Sequence, residues 1–424
     1  MTTPPDTGRP ASPPPAAPTP PTPPTPPTGQ IESPNYDGTV KEVFSLALRN
    51  AGLTLITLGI YRFWAKTRMR QYFWGHVAFH GERIEYTGRG MELFLGFLIV
   101  LGIGLVTLLP YQLGLNYVAK FNIPLYFAGV LLLYLVLMFL YWSAVFFARR
   151  YRFSRTQWRG IRAAQTGSAW EFGFLGLGCT LLNVITAGIT VPVTSIWVNK
   201  YLMTRTMFGP HAFAFEGRAG RLYGPWMIVW GVSFAGFLAM VGIIAALAVA
   251  MTGGGTAPDG SNVRRMQTII PFLYAGWIAI TLVMYGWYRV VQFRRFTDWT
   301  RYETLSFASA LPARRVIGMI LLYMLIVVVV LGILIGIAVA AGFSMIQLAM
   351  DPRATVIAVA GVMIVYLPAA SIARYLIVVH GVAGPLCRTF EVRGTIDYDA
   401  LEQSAEAMPK RGEGLAEMLD VGGI

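Results

Sequence analysis

Six stretches of this sequence are long and apolar enough to cross a ~30 Å hydrocarbon layer as helices, and they leave little room for another kind of fold. They lie at about 91–109, 124–148, 224–250, 268–288, 316–342 and 355–380. Only 13% of the 424 residues are charged, against about a quarter in soluble domains. So little ionic surface on so long a chain points to solvation by lipid. The net charge of +13 raises nucleic acid as a partner. The basic residues, however, sit at the ends of the apolar runs, where membrane topology requires them. No nucleic-acid partner is expected.

Charge placement sets the topology. Lys and Arg number six in 62–90, six in 148–170, four in 199–223, six in 288–316 and five from 374 onward. The intervening segments 110–124, 251–268 and 343–354 hold one, two and one. The positive-inside rule places the first five groups in the cytoplasm and the last three outside. Two further apolar segments, about 42–61 and 170–198, then join cytoplasm to cytoplasm. A single crossing there breaks the rule, whereas a re-entrant or interfacial helical hairpin keeps it, and irregular backbone at depth is allowed where protein covers it. The expectation is an all-α polytopic protein of a bacterial inner membrane, with six crossings, two such hairpins and both termini inside. Eight crossings is the rival count.

Residues 1–34 contain fourteen prolines. Such a run buries no apolar surface, so 1–37 reads as a disordered cytoplasmic tail. Its P-x-x-P spacings suit either a spacer or a ligand for a protein partner. The N-terminus has no apolar core of the kind a cleavable signal peptide carries. Cys179 and Cys387 form no disulfide framework and no metal spacing.

Sliding the chain by 129 residues superposes the two odd segments without a gap. Glu42/Glu171, Thr57/Thr186, Gly59/Gly188, Tyr72/Tyr201, Gly88/Gly217 and Arg89/Arg218 coincide. A shorter motif recurs at an offset of 79, pairing Tyr72, Gly81, Arg83 and Thr87 with Tyr151, Gly160, Arg162 and Thr166. Within it Val77, Phe79, Ile84 and Tyr86 alternate around His80-Gly81, a β-hairpin signal. Several small basic hairpins are expected on the cytoplasmic face, pairing with one another because one alone is marginal. The spacing divides the chain into 1–37, a first repeat at 38–166, a second at 167–308, a partial third unit at 309–404 and a C-terminal tail at 405–424.

The run Leu55-Ile56-Thr57-Leu58-Gly59-Ile60-Tyr61-Arg62-Phe63-Trp64-Ala65-Lys66-Thr67-Arg68 resembles the signature of YjgN-like bacterial inner-membrane proteins. Arg70-Gln71-Tyr72-Phe73-Trp74, Phe79-His80-Gly81-Glu82-Arg83 and Glu92-Leu93-Phe94 continue the likeness. It is close over about 38–110 and looser to about 400. The second copy departs from it, with Val191-Pro192-Val193 where the first has Arg62-Phe63-Trp64. That family is a domain of unknown function, so the resemblance implies membrane placement and supplies no catalytic residues.

Candidate chemistry is sparse. His76 and His80, read as strand residues, stand ~13 Å apart, too far to share a metal ion, and no cofactor is expected. No Gly-x-Ser-x-Gly, paired carboxylates in an apolar run or Cys/His couple argues for an enzyme. The six clear runs carry almost no charge, which disfavours proton-driven antiport. Glu42, Arg49, Glu171, Asn50 and Asn183 are the polar residues nearest to depth. Gly59, Gly188 and Pro192 mark the breaks in the odd segments. Arg62, Trp64, Lys66, Arg68, Arg70, Tyr72 and Trp74 form an interfacial belt suited to anionic lipid head groups. Gly176-x-Gly178 suits close helix packing. Gly332, Gly336 and Ala340 form a small-residue stripe, either an intramolecular contact or a homo-oligomer seam. Two functions fit: a permease or channel for a neutral or amphiphilic solute, and a non-transporting scaffold binding lipid or a partner through its basic hairpins.

Overall fold

A computed structural model describes residues 31–252, 260–340, 351–395 and 403. Residues 1–30 of the expected 1–37 tail, and the expected tail at 405–424, lie outside the described residues. A short helix pair, α1 (Val40–Ile56) and α2 (Arg62–Gly75), precedes a long pair, α3 (Gly90–Val118) and α4 (Ile123–Arg155). A second short pair follows, α5 (Ala169–Ile185) and α6 (Val191–Met203). Two more long pairs are α7 (Gly220–Thr252) with α8 (Gly260–Asp298), and α9 (Ala313–Ala340) with α10 (Pro352–Ala373). The last runs on through a π-helical turn (Arg374–His380) into α11 (Gly381–Thr389). Six of these are long and apolar enough to cross a membrane: α3, α4, α7, α8, α9 and α10 with its continuation. Their outer faces are apolar and exposed, with Val106 at 75% and Val328 at 64%, as a lipid-solvated surface requires.

The helices of the short pairs are shorter than the six long ones. At 1.5 Å per residue α1 and α5 reach ~25 Å and α2 and α6 ~20 Å, against a hydrocarbon layer of ~30 Å. Both pairs turn in the same way, 129 residues apart. Thr39 and Ser168 cap α1 and α5 through side-chain oxygens. Thr57 and Thr186 close those helices, each hydroxyl donating to the carbonyl four residues back at 2.8 Å. Leu58 and Gly59 then take φ of 51° and 91°, and Ala187 and Gly188 take 49° and 86°. This left-handed pair reverses the chain, and glycine is the residue that adopts it without a Cβ clash. Pro192 begins α6 at a position that needs no N–H donor. The aromatic and basic run after residue 61, expected as an interfacial segment, is thus the returning arm of the first hairpin.

Among the described residues, twelve short strands connect the helices. They are β1 (Ile31–Glu32), β2 (Asn35–Tyr36), β3 (Val77–Phe79), β4 (Glu82–Tyr86), β5 (Thr156–Trp158) and β6 (Ile161–Gln165). The others are β7 (Thr206–Phe208), β8 (His211–Ala212), β9 (Ala214–Phe215), β10 (Thr300–Tyr302), β11 (Leu305–Ser309) and β12 (Phe390–Arg393). His80-Gly81 and Arg159-Gly160 have positive φ at both central positions, the turn that matches strand twist. One sheet runs β1-β12-β11-β10-β9 and the other β2-β3-β4-β5-β6-β7-β8. Since β1 leads into β2 and β8 into β9, the strand order returns on itself as a closed ring. The chain thus joins the two sheets end to end, which leaves only short edges, at β1, β2, β8 and β9, among hairpins too small to stand alone. Residues 31–36, expected within the proline-rich tail, belong to this ring, because β1 pairs with β12 and β2 with β3.

The helices repeat the closure. Each packs on its neighbours in sequence, from α1 to α10, and α10 packs back on α1. A ring of helices therefore stands on a ring of strands, and both short pairs start from and return to the strand ring. α4 and α5 approach most closely: a Cβ at Gly173 or Gly176 would overlap Ser143 or Trp142. These glycines are packing residues.

Candidate functional site

The strand ring is filled. Phe79, Phe208, Phe213, Phe307 and Phe390 pack around buried Tyr302, Leu305 and Val392. Trp158 joins them, 5.5 Å from the Phe79 ring and 6.1 Å from Phe208. Strands on opposite sides of the ring, such as β3 and β10, thereby meet in one aromatic cluster. Burial pushes the Tyr302 phenol up to about 12.

Above this plug lies a cavity of about 750 Å³, walled by α4 to α8 and floored by strand residues including Phe213, Phe307 and Phe390. Its apolar wall includes Trp142, Phe153, Val198 and Trp226, and its polar groups include Asn183, Thr194, Asn199 and Arg149. The second hairpin supplies an ordered polar strip. Asn183 Oδ1 accepts from the hydroxyls of Thr190 at 2.9 Å and Thr194 at 3.1 Å. The size and mixed lining suit a small molecule that is mostly apolar, with a few groups to orient it.

Arg149 comes from the last turns of α4. Its Nε donates to Gln165 Oε1 at 3.1 Å and its Nη2 to Thr206 Oγ1 at 3.3 Å. The offset of 79 relates Arg149 and Gln165 to Arg70 and Tyr86, and the structure places that pair together too. Arg70 is fully buried and donates to the Tyr86 hydroxyl at 3.0 Å. Sequence reasoning missed Arg149 by counting it among the six basic residues of 148–170; its alignment with Arg70 was the available signal.

The belt residues separate. Arg62 is exposed, lying over the rings of Phe63 and Phe97. Lys66 and Arg68 are half-buried, with Arg68 over the Tyr61 ring. Trp64 packs against Phe94, and Trp74 donates to Thr156 Oγ1 at 3.2 Å. Tyr72 spans the base of the hairpin, donating to Glu42 at 2.8 Å, as Tyr201 does to Glu171 at 3.0 Å. Burial, then the Glu42 bond, pushes the Tyr72 phenol up to about 12. That bond in turn holds the Glu42 carboxyl below its ordinary value. Arg70 is withdrawn from the surface altogether and is a structural residue.

At the breaks the protein meets its own backbone. Thr57 Oγ1 accepts from Tyr61 N at 2.9 Å. In the second copy the Gly188 and Ala187 carbonyls accept from Trp226 Nε1 at 2.9 Å and Trp230 Nε1 at 2.8 Å. Gly59 and Gly188 therefore shape the turns, while the cavity lies beside α6. Asn50 is buried, whereas Arg49 is exposed. His76 ends α2 and His80 lies in the β3–β4 turn, facing Glu42 and Glu32; the strand expected to hold both begins after His76. No group of three metal-ligating side chains occurs among the described residues. A Cβ at Gly332 or Gly336 would meet nothing within 4 Å, and both glycines and Ala340 are exposed. Gly332 and Gly336 therefore make no close helix approach among the described residues.

Six apolar helices on a ring of small strands define a multi-pass membrane protein. The chain belongs to DUF898, a bacterial family of unknown function, whose profile matches residues 33–379. No curated protein and no solved structure matches the chain.

Proposed function

We propose that this protein is an inner-membrane permease for an amphiphilic solute, with the cavity beside the second hairpin as its binding site. The carrying observation is that cavity of about 750 Å³, with apolar walls and a polar strip from Asn183 to Thr194. In this reading the strand ring and both termini lie on the cytoplasmic side, following the 27-to-4 split of basic residues. The two short hairpins re-enter the membrane from that side as copies of one duplicated unit. Their apolar tips support this, with Leu58 at 90% and Ile185 at 81% exposed.

The test is flux of a fluorescent single-chain amphiphile across proteoliposomes. Ser195→Phe, which adds a ring on the cavity wall, is expected to reduce flux to the protein-free level at equal insertion. Undiminished flux at full insertion would contradict the proposal. The aromatic filling of the strand ring favours a second reading, a scaffold that never opens. Wild-type protein with no flux above protein-free vesicles would make that the better account.

A further inference from the structure

The cavity carries positive charge as well as apolar walls. Two of its lining residues, Arg149 and Arg289, are basic, and none of the described residues lining it is Asp or Glu. Arg289 sits at the exposed side and donates to Gln292 at 2.6 Å. Arg149 is more shielded. Its protein partners are the neutral Gln165, Thr206 and Met203, and its ring contact is Phe153 at 4.5 Å. These bonds use Nε and Nη2 and leave Nη1 without a partner among the described residues. A guanidinium shielded from water without a counter-charge is costly, and such sites are completed by an oxyanion that matches its fork of donors. A second donor points the same way. Asn199 lines the same cavity, and its Nδ2 is buried with no hydrogen-bond partner among the described residues.

The equivalent arginine shows that this openness is not demanded by the fold. Arg70 occupies the matching place in the preceding unit and is sealed, 0% exposed, against the Tyr86 phenol. At Arg149 the phenol is replaced by Gln165, and the space beyond is the cavity. Away from the arginine the walls are aromatic and aliphatic, from Trp142 to Trp226. A small inorganic anion would leave those walls without a partner; an alkyl chain would cover them.

We propose that the cavity binds a single-chain amphiphile through a carboxylate or phosphate head group held by Arg149, with its tail against Trp142 and Trp226. This deepens the permease proposal and rests on its placement of the binding site.

Trp142 and Trp226 supply the readout. Full-length protein in nanodiscs of neutral lipid is titrated with undecanoate brominated at its chain end, and with the matching bromo-undecanol. Bromine quenches nearby tryptophan, and the Ser195→Phe variant gives the background from probe dissolved in lipid. Wild type is expected to show saturable quenching, with affinity for the carboxylate about tenfold or more above that for the alcohol. In Arg149→Gln that ratio is expected to collapse toward one, and Arg149→Lys is expected to restore part of it. Should Arg149→Gln fail to insert, Asn199→Asp tests the same point, because a carboxylate in the cavity is expected to invert the preference. Equal affinities for both probes in wild type, unchanged in the variants, would overturn the anionic head group while leaving the cavity as an amphiphile site. No saturable quenching above the Ser195→Phe background by either probe would overturn the cavity reading as well. Inorganic phosphate displacing the probe as effectively as unlabelled undecanoate would overturn the tail, leaving a free-anion site.

Discussion

The two short hairpins share a turn and differ in what they enclose. Thr57-Leu58-Gly59 and Thr186-Ala187-Gly188 make the same backbone bonds, and Tyr72 and Tyr201 tie the two bases to Glu42 and Glu171. The first hairpin returns through aromatic and basic residues, and one of its arginines, Arg70, is sealed inside the protein. The second returns through Val191-Pro192-Val193-Thr194, and its polar groups line a cavity shared with Arg149. The two hairpins share the turn, while the arm after it carries a sealed arginine in the first and lines a cavity in the second.

Breaking the seal is expected to have the largest effect on stability. Arg70→Met removes the bond from a buried guanidinium to the Tyr86 hydroxyl, and losing a hydrogen bond from a charged group costs ~2–3 kcal/mol. Arg149 faces the cavity instead of a sealed interior, so the cost of Arg149→Met is expected to be smaller, ~1 kcal/mol. Thermal unfolding of the two variants in one detergent checks the order. Equal losses would mean that the two sites are not built differently.

The turns come next. Gly59→Ala and Gly188→Ala each force a Cβ into left-handed backbone, at ~1–2 kcal/mol. Local hydrogen exchange at residues 57–61 and 186–190 is expected to rise by similar factors in the two variants. A rise in one copy alone would break the structural equivalence of the hairpins. A smaller difference sits at the second tip, where Trp226→Phe and Trp230→Phe each remove a bond to a turn carbonyl worth ~1 kcal/mol. The first copy has Phe97 and Leu101 at the matching positions and is expected to lose no such bond when Phe97→Leu is made.

Much of this was legible. Long apolar runs point to the crossing helices, since a continuous helix satisfies its own backbone in lipid. X-Gly turns within alternating residues fix the strands. The returning arm α2 was not legible as a helix pair's second half, because Arg62, Lys66, Arg68 and Arg70 give it the composition of an interfacial loop. Ring closure was not legible either: it depends on α10 meeting α1 and β12 meeting β1, contacts between segments some 300 residues apart with no local pattern. Asn183 stood out as a polar residue at depth, whereas Arg149 was masked by five other basic residues in its loop. The cavity required the assembled walls.

The smallest expected effect concerns pH at the base of the first hairpin. The Tyr72 phenol is pushed up to about 12 from 10.0, so its contribution is full below the ordinary value and is lost as pH rises through the raised one. The Glu42 carboxyl is held below its ordinary 4.5, so its contribution is present above that value and is lost as pH falls through the depressed one. Tyr72→Phe is expected to flatten the unfolding midpoint slightly on both flanks, by little on the acid side because Glu42 is exposed. A pH profile identical to wild type would show that this bond does not couple to folding.

A density map of the full-length protein in lipid nanodiscs tests the central claim most directly. The account predicts a closed ring of helices on a ring of strands, with the 57–61 and 186–190 turns ending inside the bilayer. It also predicts an open volume bounded by α4, α6 and α8 next to Arg149. Turns that emerge on the far side of the bilayer, or side chains filling the space beside Arg149, would contradict it.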